Sequence, residues 1–503
     1  MARWLNIGLL ALILAAFSLQ ALLAIARLSA TADEPVHLAA GYSYWQMRDF
    51  RMNPEHPPLA KLLAALPLLA INPEFDTTHD DWKTALEYQF GFNFLYGNHA
   101  DQLLFWSRAA MVLVAALGLI VTFLWARDMF GPPAGLFAAS MYAFSPNLLA
   151  HGMLVATDVP LAVFWLLTLY LLWKRGDHPS WRIDLAIGLA LGATMATKFS
   201  GAFLPIILAG VCLARDRRSA FKGLLIMACG SLFVIEAAYL FSVSPVLYFK
   251  NAALVNANHL KNYPVYLFGR LKPGGWWYYF LAGFAVKATV PTLILLMLTA
   301  AHAAKGLMNR WGEIILLTNI CLSVVIVSAA ADQIGVRYLL PMFPLVFVWT
   351  SRIVPYFARL RAGAVVLAAL LLWQAWSSLH AFPNYIPYFN ELAGGASAGP
   401  SLLDDSNVDW GQGLKQAARY VREHHLENVT VYSFSPFDNP AYYGLPRNLQ
   451  PSEAFGRLLA KQPAPGVYII SAHYVTRMRA VDPAWRKYKP VDRIGESLWV
   501  YEF

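Results

Sequence analysis

Apolar residues in this chain come in blocks of about 20, parted by short polar loops. A helix rising 1.5 Å per residue needs about 20 residues to cross a hydrocarbon core of about 30 Å. The pattern predicts about eleven membrane-spanning helices, near 5–27, 103–125, 132–150, 156–173, 183–199, 202–214, 221–241, 278–301, 312–331, 338–353 and 362–380. The sixth is short, closed by Pro205 and Arg215. Between the blocks lie two long segments, 28–102 and 242–277. In the first, Pro35 to Met47 and Pro57 to Ile71 mix apolar and aromatic residues with few charges, and read as short helices in the membrane interface.

From Ala381 the pattern changes. An amphipathic run (Leu414 to His425) precedes a β-like run (Val429 to Phe434). A second helical run (Ser452 to Lys461) and β-like runs at Val467 to Ser471 and Leu498 to Phe503 follow. The prediction is an α-helical polytopic membrane domain over 1–380, followed by a small α/β domain over 381–503.

Composition excludes a soluble class. Of 503 residues, 58% are hydrophobic and 14% charged, with a mean hydropathy of +0.46. Soluble domains carry about 25% charged residues. The first block, Trp4 to Ala26, is too long for a signal peptide and reads as a retained span. Cys212, Cys229 and Cys321 all fall inside apolar blocks and form no CxxC pair, which argues against thiolate metal sites and redox chemistry. The net charge of +9 suggests nucleic acid only until its placement is read. The cations sit in loops between helices, so no nucleic-acid partner is expected; membrane lipids are.

That placement also sets orientation. Arg3, Arg127, Lys174, Arg175, Arg182, Arg215, Arg217, Arg218, Lys305, Arg310, Arg352, Arg359 and Arg361 occupy one alternating set of loops, read as cytoplasmic. Segments 28–102 and 242–277, the turns at His151 and Ser200, the loop at Asp332 and the tail form the outer set. The active site and the tail domain are therefore expected on the outer face of the membrane.

Candidate chemistry collects in the outer set. Asp33-Glu34 follows the first span; alone, the pair reads equally as solvated interface carboxylates. Asp158 opens the fourth span ahead of Pro160. A carboxylate entering hydrocarbon usually faces a cavity or a partner, although Asp is also a good helix N-cap. Asn53-Pro54-Glu55-His56-Pro57-Pro58-Leu59-Ala60-Lys61 holds a Glu-His pair on a proline-stiffened turn, a weak metal signal. Arg108, Lys198 and Lys287 lie in or at the ends of spans, toward their outer halves, and Arg337 begins the tenth. Glu236 is a possible counter-ion. Snorkelling explains any one of these cations; four with the same bias suggest an outward polar cavity suited to a phosphate.

In order along residues 1–350 stand Asp33-Glu34, His56-Pro57-Pro58-Leu59-Ala60-Lys61, Thr157-Asp158, Thr197-Lys198-Phe199-Ser200-Gly201, Tyr266-Leu267-Phe268-Gly269, Gly275-Trp276-Trp277-Tyr278-Tyr279-Phe280 and Arg337-Tyr338-Leu339-Leu340-Pro341. Together they resemble the lipid-phosphate-dependent glycosyltransferases of GT-C type, which include protein O-mannosyltransferases and lipid A aminoarabinose transferases. Tyr388-Phe389-Asn390-Glu391-Leu392-Ala393-Gly394-Gly395 and Asp405-Ser406-Asn407-Val408-Asp409-Trp410-Gly411-Gln412 look like a bacterial subset. The tail lacks the repeats of eukaryotic protein mannosyltransferases, which puts a protein acceptor in doubt.

The resemblance implies a GT-C fold and sugar transfer from a polyprenyl-phosphate donor to a hydroxyl of a protein, lipid or glycan on the outer face. Asp33 would be the general base, with Asp158 and Glu34 completing the acidic set. Arg108, Lys198, Lys287, Arg337, His56 and Lys61 would bind donor and phosphate. A divalent metal is implied for some members, with Glu55 and His259 as its ligands. No nucleotide is expected, and no Gly-rich phosphate loop is found. A one-step displacement would invert the anomer. The rival reading, a lipid-linked sugar flippase, calls for repeats and midplane charges that are not apparent.

Overall fold

The computed structural model describes residues 2–176, 178–215, 217–242, 246–257, 263–446 and 465–503. It is a bundle of helices with a small sheet domain at one end. Among the described residues, five helices are long and apolar enough to cross a membrane: Trp4–Ile25, Ala100–Phe130, Ser219–Ala238, Arg310–Ala329 and Gly363–Ala381. The chain is a multi-pass helical membrane protein. Shorter apolar helices, including Leu59–Ile71, Phe199–Arg215 and Met342–Phe357, fill out the bundle, beside the five that reach a full span's length out of about eleven expected.

Two of the expected spans are broken for local reasons. The block 132–150 becomes Pro132–Ala143 and Pro146–Gly152, because Pro146 restarts the helix after Ser145. The block 278–301 becomes Tyr279–Lys287 and Val290–Ala303, bent by 112°. Thr289 caps the second helix through Thr292 N–H, and Pro291 sits in its first turn. The carbonyls freed at the break are satisfied from the tail. Asn390 Nδ2 donates to Ala285 O (2.7 Å) and Ala288 O (2.8 Å), and its backbone N–H to Val286 O (2.9 Å).

Close helix approach relies on small residues. A Cβ on Gly188 or Gly192 would stand 2.5 Å from Met227 O or 2.6 Å from Ser231 O, so only glycine lets Trp181–Thr197 meet Arg217–Ala238 this closely. Nor does the expected interface helix Pro35–Met47 lie on a surface. As Glu34–Met47 it is buried from Glu34 through Tyr44, clasped by Glu87–Gly97 and Leu59–Ala65.

The two loop sets lie at opposite ends. At one end Lys174 meets Asp128 (3.0 Å), Arg175 meets Asp184 (2.5 Å) and Ser219 (3.3 Å), and Arg352 pairs with Glu313. Asp33, His151, Asp158, Lys198 and Arg337 lie at the other.

The hairpin β1 (Pro264–Leu267) and β2 (Arg270–Pro273) and the tail domain belong to this second end. In the tail, β3 (Val429–Tyr432), β4 (Val467–Ser471), β5 (Asp492–Ile494) and β6 (Leu498–Glu502) form one sheet ordered β3-β4-β6-β5. The β3–β4 pair is parallel; the others are antiparallel. Leu414–Glu423 buries Leu414, Ala417 and Ala418 against Val429, Val431, Ile469 and Val500. Strand β5 and the helix Ala472–Val481 were not expected; Ser452 to Lys461 lies outside the described residues.

Candidate functional site

Two carboxylates, far apart in sequence, meet through one guanidinium. Arg337 Nη1 lies 3.1 Å from Asp33 Oδ2 and 3.9 Å from Asp158 Oδ2. Lys198 Nζ donates to Asp158 Oδ1 at 2.6 Å and stands 4.4 Å from the Tyr338 ring centre. Asp158 is almost fully buried, at 4% side-chain exposure, whereas Asp33 keeps 26%. Local structure explains the placement. Asp33 immediately precedes Glu34–Met47, Asp158 opens Asp158–Arg175, and Lys198 ends Trp181–Thr197 in extended backbone. Three helix ends thus deliver charge to one place.

The tail completes this cluster. Trp410 packs its ring on Arg337, 4.1 Å from the guanidinium carbon. Its segment is tied to the chain leaving the first helix: Ala32 N–H donates to Trp410 O (2.8 Å), Ser29 N–H to Gln412 O (3.1 Å) and Ser29 Oγ to Gly411 O (3.0 Å).

Histidines line the same region. His37 Nδ1 is 2.9 Å from Val155 O, and the His37 and His56 rings are 5.4 Å apart. Burial, with the neighbouring cations Lys198 and Lys61, holds His56 well below its ordinary range. Burial lowers His37 despite Asp33, and lowers His151 to about 3 despite Asp158. All three are neutral at physiological pH. Glu55, half-buried, is raised by burial and by the charge of Asp33. Arg337 Nε and His151 Nδ1 are buried with no hydrogen-bond partner among the described residues, so the cluster has unspent polar capacity.

Four expected site residues are placed elsewhere. Glu34 and Arg108 form a sealed pair. Arg108 Nε donates to Glu34 Oε1 (2.8 Å) and Nη2 to Glu34 Oε2 (2.5 Å), and the guanidinium also holds Leu28 O and Ser29 O. Thr31 N–H and Val155 N–H complete the Glu34 carboxylate, and neither side chain reaches solvent. Glu34 is thus fully engaged by internal partners, and four of the five Arg108 N–H donors are used within the protein.

Lys61 is likewise internal. Its ammonium meets Tyr44 Oη (2.8 Å), Asn53 O (2.7 Å), Asn53 Oδ1 (3.1 Å) and His56 O (2.8 Å), and burial pushes it down to about 7. It holds the turn that carries Glu55 and His56. Lys287 donates to Ile386 O (2.7 Å) and Asn407 O (2.8 Å), fastening the tail to the broken helix. Glu236 makes no ion pair among the described residues.

His259 lies outside the described residues, and among those described no group of three His, Cys, Asp or Glu converges to hold a metal. Glu55 is flanked electrostatically by Asp33, Lys61 and Asp332, not by a ligand set.

Sequence reasoning missed His37, His151, Tyr338 and Trp410 as neighbours of the carboxylates. Trp410 stood inside a quoted motif without a role, and no spacing rule links residue 410 to residue 33.

Residues 91–249, which include Arg108, Asp158 and Lys198, match the family model of the dolichyl-phosphate-mannose-protein mannosyltransferases. No curated protein sequence matches the chain. Among solved structures, ArnT from Cupriavidus metallidurans in the apo state is similar at 15% identity and a TM-score of 0.49, over 98% of this chain and 97% of that one. The same protein bound to undecaprenyl phosphate is similar at 14% identity, 98% of both chains and a TM-score of 0.49. Archaeal oligosaccharyltransferase AglB from Archaeoglobus fulgidus, in complex with an inhibitory peptide and a dolichol-phosphate, gives 12% identity, 97% of this chain, 73% of that one and a TM-score of 0.48. The matched segment, about a third of the chain, is therefore similar to the dolichyl-phosphate-mannose-protein mannosyltransferases.

Proposed function

We propose that this protein transfers a sugar from a polyprenyl-phosphate carrier to an acceptor hydroxyl on the periplasmic face of the inner membrane, inverting the anomer. The observation that carries this reading is the Arg337 guanidinium between Asp33 and Asp158, with Lys198 beside it.

Each group then has a chemical task. Asp33, the more exposed carboxylate, takes the proton of the incoming hydroxyl. Arg337 and Lys198 face the donor phosphate, displacing part of their present pairing with Asp158. A glycosyl phosphodiester carries one negative charge and leaves as a monoester that gains a second. Two fixed cations therefore interact more strongly as the bond breaks, and stabilise the transition state more than the bound donor. Asp158 keeps both cations aligned when no donor is bound. Neutral His37, His56 and His151 add hydrogen-bonding capacity without adding charge that competes with the phosphate. The acceptor is a hydroxyl of a protein, lipid or glycan.

The test is incubation of purified protein with radiolabelled polyprenyl-phosphate sugar and a mixture of envelope acceptors. Release of free carrier phosphate with label on the acceptor is the expected result. Movement of intact donor across a vesicle bilayer without release would instead favour a flippase.

A further inference from the structure

Away from the carboxylates, a cavity of about 750 Å³ lies between the hairpin β1–β2 and the tail domain. Its wall carries Arg270, Arg479, Arg486, Lys489 and Arg493, and none of the residues at Asp33, Asp158, Lys198 or Arg337. Five cations in one cavity repel each other, and the local compensation is small. Among the described residues, Arg493 pairs with Glu496 (3.3 Å), and no carboxylate pairs with Arg270, Arg479, Arg486 or Lys489.

Two of these cations are held ready. The Trp499 ring lies between Arg479, at 4.9 Å, and Arg493, at 4.3 Å. Arg479 Nη2 is fixed by Tyr488 O (2.9 Å) and Tyr501 Oη (3.3 Å), while its Nε is buried without a partner. Arg270, Arg486 and Lys489 are exposed around it. A neutral sugar needs no such charge. Guanidinium forks match phosphate oxygens bidentately, and a phosphomonoester carries close to two charges at neutral pH.

We infer that this cavity is a second anion site that binds a phosphate-bearing ligand, either a free pyrophosphate or phosphomonoester or the headgroup of a phosphorylated lipid. It is independent of the transfer reaction proposed above.

Calorimetry on the full chain in neutral detergent tests it, with inorganic pyrophosphate in one arm and dioctanoyl phosphatidic acid in the other. Saturable binding of at least one probe is expected, persisting at about 0.15 M salt, where loose charge attraction is largely screened. The triple variant R270Q/R486Q/K489Q should bind about tenfold more weakly or worse, while Lys198→Met, in the other site, leaves binding unchanged. Binding of pyrophosphate assigns a soluble ligand, and binding of the lipid probe alone assigns a headgroup. If the triple variant melts early, Arg270→Gln alone, on an exposed strand, gives the same reading with a smaller loss. No saturable binding, binding lost at 0.15 M salt, or binding that follows Lys198 and ignores the triple variant overturns the inference.

Discussion

The Trp410 indole lies flat enough against Arg337 to bring its ring centre within 4.1 Å of the guanidinium carbon. Through its carbonyl the same residue accepts from Ala32, the neighbour of Asp33. One tail residue therefore touches both the cation and the chain that carries the expected base. A cation–π contact of this kind contributes about 0.5–2 kcal/mol. Trp410→Ala should lower kcat by about tenfold, with a smaller change in donor KM, and Trp410→Phe should keep most of the activity. Wild-type kinetics in the alanine variant would show that the tail takes no part in placing Arg337.

Asp33 and Lys198 should fail in different ways. Asp33→Asn removes a proton acceptor and should cost about 10²–10⁴ in kcat, the usual weight of general base catalysis, with little change in donor KM. Lys198→Met removes the cation proposed to face the donor phosphate and should raise donor KM. Steady-state kinetics with labelled donor separates the two; a pure KM effect at Asp33 would contradict its role as base.

Glu34 stands next to Asp33 in sequence, yet its substitution should behave quite differently. Glu34→Gln leaves the buried Arg108 without its counter-charge. Breaking a buried pair from one side costs about 3–5 kcal/mol. The variant should express poorly and melt early in detergent. A well-folded but inactive Glu34→Gln protein would return Glu34 to the catalytic set.

The tail domain should weaken as pH rises. Burial pushes Asp438 up to about 7 and Asp409 to about 6, above the ordinary carboxylate value. Between that ordinary value and pH 7 the folded state holds protons that the unfolded state has lost, so stability falls across this window with increasing pH. Asp438→Asn mimics the protonated form. It should raise the melting midpoint at pH 8 and leave it nearly unchanged at pH 5. An equal shift at both pH values would mean that the Asp438 proton is not the cause.

His151 acts with the opposite sign. It is held neutral when folded, so acidification below its ordinary value charges the unfolded chain first and removes stability.

Much of the architecture was legible from periodicity. The helices at Trp4–Ile25, Ala100–Phe130 and Gly363–Ala381 follow their apolar blocks closely, as do strands β4 and β6. The breaks at Ser145 and Thr289 were less visible, because hydropathy averages over the capping and proline signals that end a helix. Strand β5 spans only Asp492–Ile494, too short for an alternation to register.

Residue chemistry and spacing alone determined that this chain crosses a membrane, that its cations divide between two loop sets, and that Asp33, Asp158, Lys198 and Arg337 belong to one of them. Only the tertiary structure decided which of the cations remain available. Arg108, Lys61 and Lys287 have the same charge as Lys198 and similar apolar surroundings in the sequence, but each is consumed by internal acceptors. A buried charge must be neutralised or hydrogen-bonded, and the group that does so can come from anywhere in the chain. Sequence spacing does not report that partner; only the packed coordinates do.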